Sequence, residues 1–80
     1  MLTEYIQAAM AHAVIEYDPE DKKYYGEIPP CPGVLGVGDS PEACRRDLQE
    51  ALEGWMILAF RFGDPLPVID GIDLNQKIAA

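Results

Sequence analysis

Histidine and tryptophan each occur once in these 80 residues and cysteine twice, so the usual zinc ligands and nucleophile-base pairs are scarce. Cys31 and Cys44 stand 13 positions apart, and no second His or Cys lies near either at the spacing of a structural zinc site. Two cysteines are also too few for a secreted scaffold held by disulfides. Cationic residues are few: six Lys and Arg face fourteen Asp and Glu, for a net charge of −8. Such a chain repels phosphate backbones, which argues against direct nucleic-acid binding and favours a basic partner. Long apolar runs are missing as well. The longest, Trp55 to Phe60, is six residues, against the ~20 that a membrane-spanning helix needs. The opening MLTEYIQAAMAHA lacks the basic stretch and apolar run of a secretory leader. A cytoplasmic protein without membrane attachment is expected.

What is present fits one small domain over residues 1–80, with an N-terminal helix at about 2–12 and a core at about 13–74. Folding at this length buries only about 60% of the surface of the extended chain. Leu2, Ile6, Ala9, Met10 and Ala13 recur at helical spacing, with Thr3 placed to cap the start. Ala13, Ile15 and Tyr17 then alternate with polar neighbours. A charged turn from Asp18 to Lys23 leads into Tyr24-Tyr25-Gly26-Glu27-Ile28, the pattern of an antiparallel hairpin. Pro29-Pro30-Cys31-Pro32-Gly33 forms a rigid corner, with Cys31 expected at the surface. Val34, Leu35 and Val37 predict a third strand, whose Gly36 and Gly38 mark a bulge or the close approach of another backbone.

Ser40-Pro41-Glu42 supplies a capping hydroxyl, a proline at the first helical position and a carboxylate at the positive end of the dipole. A helix from Pro41 to Phe62, ended by Gly63 and Pro65, would be about 33 Å long. Its core stripe is predicted to comprise Cys44, Leu48, Ala51, Leu52, Trp55, Leu58, Ala59 and Phe62. Val68 to Leu74 predicts a short final strand. The fold class is therefore α+β in the order α-β-β-β-α-β, an antiparallel three-stranded sheet plus that last strand, covered by one long helix. Met56, Ile57 and Phe60 fall off the stripe and make the second half of the helix apolar nearly all round. With Ile6 and Met10 they form the candidate self-association set, so a homo-oligomer is expected.

Tyr24-Tyr25-Gly26-Glu27-Ile28-Pro29, Pro32-Gly33, Gly38-Asp39-Ser40, Glu42-Ala43 and Leu48-Gln49-Glu50-Ala51-Leu52 together resemble the HicB-like antitoxin family, over about residues 13 to 74. Pro30 departs from the family, which often has Asp there. The resemblance implies the toxin-neutralising half of such a protein, with a small basic HicA-like ribonuclease as partner. Only Asp64 to Ala80 follow the long helix, so the C-terminal DNA-binding domain of many family members is not expected. The acids of the first hairpin with one tyrosine, Asp18, Glu20, Asp21, Tyr25 and Glu27, are the candidate partner-binding set. Tyr24 and Tyr25 occupy opposite strand faces, one for the core and one for a partner.

Two alternatives stand beside this reading. One is an orphan homo-oligomer without a toxin. The other is a divalent-metal nuclease, because the family core also resembles a partial ribonuclease H fold. A two-metal site needs carboxylates converging on cations about 4 Å apart. Here Glu16 and Glu27 lie in strands, Asp18, Glu20 and Asp21 in a turn, Asp39 before the helix, and Asp47, Glu50 and Glu53 on its solvent side. No catalytic residue, metal ligand or cofactor is assigned. Ser40 reads as a cap rather than a nucleophile, Cys44 as core, and Arg45 and Arg46 as solvated helix residues.

Overall fold

Ser40 opens the longest element. In the computed structural model, which describes residues 2–74, its extended backbone (φ −139°) and side-chain oxygen, 3.0 Å from the Ala43 amide, cap a 22-residue helix over Pro41–Phe62. The helix ends at Gly63, whose left-handed φ of 71° lets the Asp64 amide return to the Ala59 carbonyl at 2.9 Å. Removing the cap by Ser40→Ala is expected to cost about 1 kcal/mol. For a domain of this size that lowers the melting temperature by about 4–8 °C, read by thermal circular dichroism.

Before this helix, α2, come α1 (Leu2–Ala11), β1 (Val14–Asp18), β2 (Lys23–Glu27) and β3 (Leu35–Gly38). Thr3 lies inside α1 rather than capping it. The strands form one antiparallel sheet in the order β1-β2-β3. The register sets Ile15 opposite Gly26 and Gly26 opposite Gly36, so these share one face, as do Tyr17, Tyr24 and Gly38 two residues along. That face lies under α2. A side chain on Gly36 would meet the Leu48 backbone at 2.7 Å, and one on Gly38 the Cys44 amide at 2.4 Å, so the two glycines let α2 seat directly on β3.

The β1–β2 turn is pinned by the Asp18 carboxylate, which accepts from the Glu20 amide at 2.9 Å, with Lys22 at φ 55°. The proline-rich corner is more buried than its composition predicts. The Cys31 amide donates to the Ile28 carbonyl at 2.8 Å and the Val34 amide to the Cys31 carbonyl at 3.2 Å. These bonds turn Ile28, Cys31 and Val34 inward against Tyr5, so Cys31 is buried, not at the surface.

Two further expectations are corrected. The segment 68–74 adds no strand to the sheet. Asp70 (φ 50°) and Gly71 (φ 79°) form a tight turn that leaves only an Ile69–Ile72 bridge, as an Asp-Gly pair between isoleucines favours. The core stripe of α2 is also rotated. Met56 is buried while Leu58 and Phe62 are exposed, because α1 and the segment around Leu66 and Ile69, rather than the sheet, cover the second half of the helix. The ends of the expected domain, Met1 and residues 75–80, lie outside the described residues.

Tyr5 joins these layers. It is buried, and its hydroxyl donates to the Pro67 carbonyl at 2.7 Å. Burial, with the nearby Cys31, pushes its pKa up from 10.0 to about 12. A phenol with a raised folded pKa stabilises in full below its unfolded value. Stability is therefore expected to fall as pH rises from 10 to about 12, the range set by these two values. Tyr5→Phe should cost about 1–3 kcal/mol by orphaning a carbonyl and should flatten this alkaline limb in urea titrations.

Candidate functional site

Among the described residues nothing covers the sheet face away from α2. Alternation places Val14, Glu16 and Asp18 of β1, Lys23, Tyr25 and Glu27 of β2, and Leu35 and Val37 of β3 on this side. Its middle is apolar: Val14, Tyr25 and Val37 are 40–42% exposed and Leu35 is 65% exposed. Glu16 and Glu27 flank these residues, Glu16 directly opposite Tyr25 and Glu27 between Val14 and Leu35 in register.

Polar contacts order the rim. The Tyr25 hydroxyl donates to the Asp21 carboxylate at 2.7 Å, a bond that raises the Tyr25 pKa and keeps the phenol protonated. Lys23 reaches Asp39 at 2.9 Å, a hydrogen-bonded ion pair that raises the lysine pKa and lowers that of the carboxylate. The Asp47 side chain accepts from the Val37 amide at 2.9 Å, which occupies a backbone donor on the outer edge of β3. A shallow depression of about 310 Å³ lies at the hairpin end among Glu16, Tyr17, Asp18, Pro19 and Tyr25.

Of the predicted partner-binding residues, Asp18, Asp21, Tyr25 and Glu27 converge on or beside this face, while Glu20 sits in the turn with its amide bound to Asp18. Tyr25 is the exposed tyrosine of its pair; Tyr24 is half-buried and packs on Tyr17 at 5.0 Å between ring centroids. Sequence reasoning missed Val14, Glu16, Leu35 and Val37. The signal was present in β3: if Gly36 and Gly38 admit a helix, Leu35 and Val37 must face the other way. Among the described residues no charged side chain is buried, and no group of three or more His, Cys, Asp or Glu is arranged to hold a metal ion.

The predicted self-association set divides. Met10 and Met56 are buried in the domain's own core, because α1 packs against that side of α2. Ile6 is half-buried, whereas Ile57 and Phe60 are exposed. Both cysteines are free and buried, and burial pushes both thiols up in pKa. Among the described residues no helix is long and apolar enough to cross a membrane.

One long helix on one face of a three-stranded antiparallel sheet, with the other face uncovered by any described residue, defines a small α+β protein. The UPF0150-like family matches residues 4–67, and the chain belongs to that family. A UPF0150 protein of Thermotoga maritima is 58% identical over 41 residues, a match covering 51% of this chain and 55% of that protein. The chain thus spans about half the length of this curated relative. The crystal structure of TTHA0281 from Thermus thermophilus is similar over 96% of this chain and 95% of that one, with a TM-score of 0.88 and 37% identity.

Proposed function

We propose that this UPF0150-family chain is an antitoxin-type binding module of the HicB-like kind, whose bare sheet face covers a small, basic, RNA-cleaving toxin. The observation that carries the reading is the composition of that face: an exposed apolar centre of Val14, Tyr25, Leu35 and Val37 beside Glu16, Asp18, Asp21 and Glu27. An apolar centre excludes water from a contact, and flanking acids select a cationic partner and speed its encounter. The depression beside Glu16 and Asp18 suits one Lys or Arg side chain of that partner. The net charge of −8 acts in the same direction and disfavours direct contact with nucleic acid. A partner that cuts messenger RNA assigns the pair to the cytoplasm.

The test starts from the reading frames that adjoin this chain's own. A small basic protein encoded there is expected to co-purify with the chain, to dissociate at high salt and to lose its RNA cleavage on binding. If no such protein is encoded there, or if it cleaves RNA equally well with this chain in excess, the proposal fails.

A further inference from the structure

Gly54 lies in the interior of α2, and apart from its chain neighbours and the adjoining helix backbone no described atom comes within 4 Å of where a Cβ would stand. Apart from proline, glycine is the residue a helix interior tolerates least, and packing among the described residues gives no reason for it here. The adjoining surface is apolar. Leu2 is 51%, Ile57 63% and Phe60 49% exposed, and a groove of about 220 Å³ runs among Leu2, Ile6, Glu53, Met56, Ile57 and Phe60. No charge interrupts α2 from Gly54 to Phe60. Glu53 and Arg61 bracket that stretch, each four residues from Ile57.

We infer that a second copy of this chain occupies the groove, with the two α2 helices packed antiparallel about a two-fold axis at Ile57. In that arrangement the two Ile57 side chains meet, Glu53 lies level with the second copy's Arg61, and Gly54 lies level with the second copy's Phe60. Unlike charges then face each other at both ends of the contact, and Gly54, on the flank of the seam opposite Phe60, leaves out a side chain where the two helices approach. A parallel pairing would instead oppose Glu53 to Glu53 and Arg61 to Arg61. Leu2, Ile57 and Phe60, each about half exposed or more, adjoin one another along this groove. A specific dimer at the small end of the range takes about 600 Å² from each partner, so the contact extends beyond this apolar centre to the polar rim of Glu53 and Arg61. This contact uses a different face from the sheet and does not depend on the toxin-binding reading.

Sedimentation equilibrium of the full chain over a range of concentrations tests the inference. The wild-type chain is expected to reach twice its 8.8 kDa mass. Ile57→Arg and Gly54→Leu should each weaken self-association at least tenfold while circular dichroism shows the helix intact. Glu53→Arg should weaken it, and adding Arg61→Glu in the same chain should restore it. Leu35→Glu, on the sheet face, should leave it unchanged. A wild-type monomer at every concentration overturns the inference, even if the groove then proves to bind another protein. So does a dimer that survives Ile57→Arg and Gly54→Leu, one that Leu35→Glu abolishes, or a charge swap that fails to restore association.

Discussion

Gly38→Ala is expected to destabilise the domain severely, and Gly36→Ala nearly as much. A methyl group on Gly38 would stand 2.4 Å from the Cys44 amide nitrogen and 2.7 Å from the Ala43 carbonyl carbon; on Gly36 it would stand 2.7 Å from the Leu48 nitrogen and Cα. These neighbours are helix backbone, so no rotamer change relieves the clash. The start of α2 must lift from β3, and Cys44 and Leu48, both fully buried, lose their packing together. Overpacking that moves backbone costs about 3 kcal/mol or more, a large share of the stability of a small domain. The melting temperature should therefore fall by roughly 12–24 °C. Gly26→Ala is the graded control, since its nearest neighbours, Cys44 Sγ at 3.1 Å and Leu48 Cδ2 at 3.3 Å, are side-chain atoms that can yield. A Gly38→Ala protein that melts with the wild type would mean that α2 does not rest on β3 at this distance.

The same glycines show how far the fold is legible in the amino-acid order. Ser40-Pro41-Glu42 and Gly63 act through bonds to near neighbours, and α2 has the bounds their chemistry predicts. The hairpin follows from alternation, and Gly36 and Gly38 announce the close approach of another backbone. Long-range packing was less legible. The side of α2 on which α1 lies decides that Met56 is buried and Leu58 and Phe62 are exposed, and helical periodicity alone does not contain that choice. Cys31 enters the core through two corner hydrogen bonds that a proline count does not reveal. The Asp70-Gly71 turn was legible from its dipeptide, but the apolar residues on both sides masked it as a strand. At the candidate site, charge pointed to the acids. The apolar half was hidden because only the register shows that Leu35 and Val37 share a face with Tyr25.

Leu35→Glu is expected to weaken binding of the basic partner by about 30- to 1,000-fold, the effect of losing about 2–4 kcal/mol at a central contact. Leu35 is 65% exposed in the free chain, so the substitution should leave thermal stability close to wild type, which separates lost binding from lost folding. Tyr25→Ala should act in the same direction, removing both the exposed ring and its bond to Asp21. The charge reversals Glu16→Lys and Glu27→Lys should chiefly slow association and flatten its salt dependence. Stopped-flow and equilibrium titrations at two salt concentrations distinguish the two classes. If Leu35→Glu binds like the wild type while Ile57→Arg does not, the partner docks on α2 instead of the sheet.

The most direct measurement is a methyl-resolved NMR titration of the labelled chain with the proposed partner, any small basic protein that an adjoining reading frame encodes. The predicted result is that Val14, Leu35 and Val37 methyl signals shift or broaden on binding while those of Leu58 and Val68 stay in place. Perturbation confined to α2 and the segment after it, with the sheet methyls unchanged, would contradict the assignment of the bare sheet face as the docking surface.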